Sequence, residues 1–258
     1  MMARLNNPFV VYGYKGPEYF CDRLAESNKL CATLRNERNV TLVSPRRMKR
    51  TGLIHHVFYR MESEEKDCKC FYIDIFATKS TEQFVQTLGA AVLGKLDSFS
   101  QSTFRKIQEF FSAWRPTATF DQLTGMPHVT LDIKPSEGTE CLKRIFDYMK
   151  LSGKRCYVAI DEFQQIQYYP QEGLEALLRS YIQFLPNVYF IFSGSRQHMM
   201  EEMFLSANRP FFQSSMVMSL GSIKTALRAL EDKMLISRSA TDGYSVSDKL
   251  FALWLVQG

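Results

Sequence analysis

Two stretches of the chain hold residue types suited to phosphate chemistry. The first, Ser44-Pro-Arg-Arg-Met-Lys-Arg-Thr51, links a short apolar run, 39–43, to a helical pattern that begins at Thr51. A loop in that place can cradle phosphates, and the pattern sought is G-x-x-x-x-G-K-[ST]. Only Thr51 fits cleanly, because Ser44 and Lys49 stand at the glycine positions and Arg50 at the lysine position. The chemistry survives in outline. Thr51 offers a hydroxyl to Mg²⁺, the N–H groups that open the helix attract an anion, and Arg46, Arg47, Lys49 and Arg50 add positive charge. Against it, the Cβ of Lys49 crowds a place where glycine lets the backbone approach, and a planar guanidinium does not copy a compact ammonium. The loop alone leaves two readings open: a phosphate cradle, or a basic surface loop that binds nucleic acid.

The second stretch is Tyr157-Val-Ala-Ile-Asp161-Glu162, an apolar strand that ends in two carboxylates. In phosphoryl transfer the first acid at such an end holds Mg²⁺, and the second orients or deprotonates the attacking water. Adjacent acids also occur as a plain solvated strand end. Together with the basic loop before Thr51, however, they favour a nucleotide site.

The elements that must position these residues follow from periodicity. Apolar runs at 39–43, 70–76, 155–162 and 187–194 read as strands, with a fifth over 216–220. Helical patterns cover 22–38, 51–61, 81–96, 97–116, 136–151 and 172–185. The alternation predicts a three-layer α/β/α fold around a mostly parallel five-stranded sheet. Ligands of such sheets bind at the carboxyl ends of the strands, where the loops from Ser44, Asp161 and Ser193 begin. Residues 117–121 and 128–133 alternate with period two and predict a β-hairpin inserted into that order, as an interaction arm or a cap on the core.

Composition agrees. The 258 residues are 45% hydrophobic, with 20 Phe and 12 Tyr, which excludes intrinsic disorder and suffices for one full-sized domain plus a small second one. The charge sum of 32 − 27 = +5 is too small by itself to argue for nucleic acid. No run approaches the roughly 18 apolar residues of a membrane span, and the first twenty residues lack the apolar segment of a secretory signal. A soluble, cytoplasmic protein with no membrane partner is expected. The six cysteines (21, 31, 68, 70, 141 and 156) form neither a dense disulfide framework nor a metal set and read as structural thiols. His55, His56, His128 and His198 read as structural or surface residues.

Five motifs carry a family resemblance: Phe20-Cys-Asp-Arg23-x-x-Glu26, Val43-Ser-Pro-Arg-Arg-Met48, Ala159-Ile-Asp-Glu-Phe-Gln164, Phe190-Ile-Phe-Ser-Gly-Ser195 and Asn208-Arg-Pro-Phe211. In these, over residues 5–220, the chain resembles the archaeal-type AAA/STAND-clade P-loop ATPases, a group also abundant in bacteria and in Bacteroidetes particularly. The resemblance implies that Ser44, Pro45, Arg46, Arg47, Met48, Lys49, Arg50, Thr51 and Gly52 form the Walker A loop. It implies Mg²⁺ on Thr51 and Asp161, and Glu162 as the catalytic carboxylate. Ser193 falls at the sensor position, and Arg209 at an arginine able to reach the γ-phosphate. Phe20 and Arg23 fall near the adenine.

Family members read Met-Gly-Lys-Thr where this chain reads Met48-Lys-Arg-Thr51. The implied function is therefore an ATP-binding, nucleotide-dependent switch with weak or lost hydrolysis. The competing reading is a pseudo-ATPase module that binds DNA or protein, but Asp161 and Glu162 have no use in a plain DNA-binding module. Residues 1–221 would form the ATPase core and 222–258 a winged-helix remnant, in which 223–233, 235–238, 241–244 and 248–254 resemble the last helix and wing of such a domain. One helix and one hairpin cannot enclose a core of their own, so the remnant must pack on the core or on another chain. Its basic residues Lys224, Arg228 and Lys233 are partly offset by Glu231 and Asp232, which supports DNA contact only weakly. The partners implied are ATP or ADP, with a protein partner or self-association.

Overall fold

Helix α1 (Leu24–Arg35) leads into strand β1 (Val40–Val43), and α2 (Arg50–Glu64) into β2 (Cys68–Asp74). Then come α3 (Thr81–Leu93), α4 (Gln101–Phe110), and the hairpin strands β3 (Thr117–Phe120) and β4 (Pro127–Thr130). The chain continues through α5 (Gly138–Leu151), β5 (Arg155–Asp161), α6 (Leu174–Ile182), β6 (Val188–Gly194), α7 (Gln197–Leu205) and β7 (Met216–Ser219). This computed structural model describes residues 14–20, 23–45, 48–97, 100–120, 127–221, 231, 235–239 and 243–247. The chain divides into two compact units, Met1–Met218 and Ser219–Gly258.

The sheet of the first unit runs β2-β5-β6-β1-β7, and its pairs β2–β5, β5–β6 and β6–β1 are parallel. The register aligns Asp74 with Asp161, Ile160 with Phe192 and Val43 with Gly194, so the carboxyl ends of four strands, β2, β5, β6 and β1, come to one edge. Because side chains alternate along a strand, each face of the sheet takes every second residue. Phe71, Ile73, Val158, Ile160, Phe190 and Phe192 join one core with Phe84, Leu88, Ile145, Phe146 and Met200 from α3, α5 and α7. The opposite parity, Cys70, Tyr157, Ala159, Tyr189 and Ile191, is buried too. That face lies under α1 and α2, where the Cys70 thiol donates to the Phe58 carbonyl at 3.8 Å. Burial on both faces explains why the strands are continuously apolar, and it makes the three-layer α/β/α fold expected from the sequence.

Local chemistry fixes the element ends. Ser80 caps α3 by accepting from the Gln83 N–H, and Ser100 caps α4 through the Thr103 N–H. The helix expected over 97–116 is shorter than its pattern. It ends at Phe110 and is followed by a 3-10 turn, Ser112–Trp114. Arg115, the residue before Pro116, is left-handed (φ 43°), and so lies outside the right-handed helical region that proline disfavours for its predecessor. The hairpin serves as a cap, because Val129 and Leu131 are buried in the main core and Leu131 lies against α3 at Gly89. The sequence pattern predicts only a loop from Ser193 onward, and the structure places helix α7 there.

In the second unit the described part is the antiparallel hairpin β8 (Ile236–Ser239) and β9 (Gly243–Val246), with Ile236 opposite Val246. The helix expected over 223–233 lies, Glu231 apart, outside the described residues, as do 248–254.

Phe192 is fully buried among Phe163, Phe204 and Phe211, with ring centroids 4.7, 5.2 and 5.1 Å away. Phe192→Ala should therefore lower the unfolding free energy by about 3–5 kcal/mol in urea denaturation, a loss set by transfer plus cavity. A loss under about 1 kcal/mol would mean that this cluster is not the packed centre.

Candidate functional site

The chain leaves β1 at its carboxyl end and runs through 44–49 into α2. Helix α2 lies over β2 and β5, which places its first residues above the carboxyl end of β5. Arg50 opens the helix there, and Asp161 closes the strand. The two meet directly. Arg50 donates to Asp161 Oδ1 from Nε at 3.0 Å and from Nη2 at 2.6 Å, and Nη2 also donates to Glu162 Oε1 at 2.7 Å. Both ends of the main pair are buried, with side chains 8% and 4% exposed.

Other donors complete the acid pair. Asp161 accepts from Thr51 Oγ1 at 3.1 Å, Tyr72 OH at 2.8 Å, Ser193 Oγ at 2.6 Å and the Glu162 N–H at 2.9 Å. Glu162 accepts on Oε2 from Gln164 Nε2 at 2.5 Å and Ser195 Oγ at 2.8 Å. Burial opposes ionisation of Asp161, but the Arg50 charge and the Ser193 and Tyr72 hydroxyls outweigh it and hold its carboxyl below the usual range. Glu162 is likewise held low against its burial, by Gln164, Arg50 and Ser195. The Tyr72 phenol is pushed up, first by burial and then by the Asp161 charge.

Two backbone features sit at the same point. Lys49 and Glu162 are non-glycine residues in the left-handed region, with φ 53° and 56°. Lys49 occupies a glycine position of the phosphate-loop pattern, and its conformation is one that glycine adopts without cost. Gly194, beyond Ser193, has no room for a side chain. A Cβ there would stand 2.6 Å from Met200 and would meet the Gln164 amide, which is the group that reaches Glu162.

The cleft over these residues has a volume of about 450 Å³, with Pro45, Met48, Lys49, Thr51, Asp74 and Phe76 at its walls beside the acid pair. Arg50 lines it as well. Its Nη1 has no hydrogen-bond partner and is not among the sealed polar atoms, so solvent reaches it. The start of α2 has no side-chain cap, and nothing stands within 4 Å of a Cβ at Gly52. Uncapped N–H groups, open space and an accessible guanidinium edge fit a phosphate. Mg²⁺, expected at Thr51 and Asp161, does not fit this arrangement. The guanidinium covers Asp161 Oδ1 and Glu162 Oε1, and Thr51 and Tyr72 donate to Asp161 Oδ2, so the oxygens that would ligate the ion are taken by hydrogens and a positive charge.

Of the other expected site residues, Ser44 is buried at the loop's start, where its N–H donates to the Gly194 carbonyl at 3.4 Å. Arg46 and Arg47 lie outside the described residues. Phe20 does not line the cleft. It stacks on His56 of α2 with centroids 4.1 Å apart, and His56 accepts or donates at Nδ1 with Tyr14 OH at 3.0 Å. Arg23 pairs with Glu26 at 3.1 Å. Arg209 pairs with Glu175 at 2.8 Å and Glu202 at 3.8 Å, away from the cleft walls. The sequence reading missed Tyr72, Gln164 and Ser195. Gln164 and Ser195 follow the acid pair and Ser193 by two residues, and Tyr72 lies two residues before Asp74, the register partner of Asp161.

The sequence matches no protein-family model and no curated protein. Among solved structures it is similar to a Walker-type ATPase of Pyrococcus abyssi, with TM-score 0.52 and 20% identity over 88% of this chain and 61% of that one. It is also similar to the ORC2 protein of Aeropyrum pernix in ADPNP–ADP complexes, with TM-score 0.49 and 16% identity over 81% of this chain and 50% of that one. This chain thus spans less than two thirds of either. The first likeness establishes the fold, an α/β fold of the P-loop NTPase kind, and agrees with the strand order and the parallel register.

A carboxylate whose partner cation is lost in a buried site takes up a proton more readily. Arg50→Gln should therefore be least stable relative to the natural chain near neutral pH, and the gap should narrow as pH falls toward 4. The sign follows because the natural chain's depressed carboxyls add stability above the unfolded value of about 4, whereas raised ones in the variant add protons, and stability, on acidification. Urea denaturation at a series of pH values checks this; a gap independent of pH would contradict it.

Proposed function

We propose that this chain is an ATP-binding module of the AAA/STAND type that works as a nucleotide-dependent switch and hydrolyses ATP weakly or not at all. One observation carries the reading: Pro45, Met48, Lys49 and the first turn of α2 line a single cleft with Asp161 and Glu162, with Thr51 3.1 Å from Asp161. The phosphates lie against the α2 N-terminus and the loop's cations, and the adenine lies toward Phe20 and Arg23. Ser193 holds Asp161 in place.

Loss of turnover follows from Glu162. A general base needs an accessible lone pair and a proton affinity matched to its task. Here Arg50, Gln164 and Ser195 occupy the carboxylate and depress its affinity for a proton. Arg209 serves a γ-phosphate only after leaving Glu175, so its pairing adds to the same restraint. The winged-helix remnant at 222–258 and a protein or DNA partner read by it belong to this proposal as the switch's output. The reading gives Mg²⁺ no role.

Calorimetric titration of the full chain with ATP tests the reading. Micromolar binding, about −8 kcal/mol, is expected, with no phosphate release above background. Lys49→Gly, which restores the glycine that family members carry at a left-handed backbone position, should tighten binding by about tenfold. Absence of ATP and ADP binding in both proteins would overturn the reading.

A further inference from the structure

The cleft's cation is already built into the chain. A P-loop site with two strand-end acids needs positive charge between those acids and a polyphosphate, because bare carboxylates repel an anion a few ångströms away. In this chain the Arg50 guanidinium occupies that position. It contacts both acids at 2.6 and 2.7 Å, is buried, and keeps its Nη1 edge open to the cleft. The guanidinium is planar and carries five donors in a fixed fork, so it can bridge two carboxylates on one edge and meet a phosphate oxygen on another. A lysine ammonium, a point charge, does not span those groups in the same way.

The acids are also spent as metal ligands. Asp161 accepts from five groups and Glu162 from three, and a cation binding between the two acids would have to displace the buried Arg50 guanidinium that both share. Among the described residues no cluster of three His, Cys, Asp or Glu is placed to hold a metal elsewhere.

We infer that Arg50 stands in for the divalent cation, so that the cleft accepts a nucleotide polyphosphate without Mg²⁺. The inference rests on the nucleotide reading of the same cleft. Its chemistry predicts a ligand taken as the free polyphosphate anion, bound by Arg50 Nη1, the α2 N–H groups and Lys49, with the charge of Arg46 and Arg47 nearby in sequence.

The test compares ATP titrations of the full chain in EDTA and in Mg²⁺, and adds Mn²⁺ to nucleotide-free protein with binding read by electron paramagnetic resonance. The ATP dissociation constants should agree within about threefold. Mn²⁺ should remain free with the natural chain and be taken up by Arg50→Gln, whose acids are released. A loss of tenfold or more in ATP affinity on adding EDTA would overturn the inference while leaving the nucleotide reading intact, as would Mn²⁺ uptake by the natural chain. No ATP binding in either buffer would overturn both. Should Arg50→Gln fail to fold, the two ATP titrations and the natural chain's response to Mn²⁺ decide the matter alone.

Discussion

The geometry at the sheet's carboxyl edge depends on one buried ion cluster, Arg50 between Asp161 and Glu162. Transfer of such charges from water costs several kcal/mol per ion, and their attraction repays it only with close contacts and satisfied remaining lone pairs. Both conditions hold, since hydroxyls from Thr51, Tyr72 and Ser193 fill the positions on Asp161 that Arg50 leaves. These donors come from α2, β2 and β6, three different elements. The cluster thus fixes where α2 begins relative to the sheet, and it fixes the charge that the cleft presents to a ligand.

The fold supplies this cluster through strand parity and register. A parallel sheet buried on both faces brings Asp74, Asp161 and the Ser193–Gly194 end to one edge, while the apolar residues of the same strands fill two separate cores. The aromatic group around Phe192 anchors β6 beneath Ser193. Left-handed backbone at Lys49 and Glu162 is then held by the surroundings on both sides of the cleft, the kind of local strain that persists where tertiary contacts over-determine it.

Much of this was legible in the residues. Runs such as 155–162 and 187–194 are too short and too apolar for surface helices, so their strands and their central place followed directly. The hairpin followed from its period-two alternation. Helix α7 did not, because Gln197–Leu205 is methionine- and glutamate-rich with no cap that marks its start. At the site, the loop and the acid pair were recognisable by type and spacing, and Ser193 by resemblance. The direct bond of Arg50 to the acids was not, because the motif directs that position toward phosphate, and a longer planar side chain has a second destination that only the fold reveals. Tyr72 was hidden for the same reason: it faces Asp161 through interstrand register, which no local pattern encodes. Phe20, Arg23 and Arg209 follow their motifs in sequence, and the fold gives each a partner that the motifs do not encode: His56, Glu26 and Glu175.

The account's central claim is that Arg50 and Asp161 are energetically coupled. A double-mutant cycle with Arg50→Ala, Asp161→Ala and the double variant, read by urea denaturation at neutral pH, measures this directly. Arg50→Ala leaves the buried Asp161 and Glu162 without their cation, whereas Asp161→Ala leaves Arg50 with Glu162 as its one acid partner, so the account predicts a coupling of about 2 kcal/mol or more, with the double variant more stable than the sum of the single losses implies. Additive losses, with coupling near zero, would contradict it.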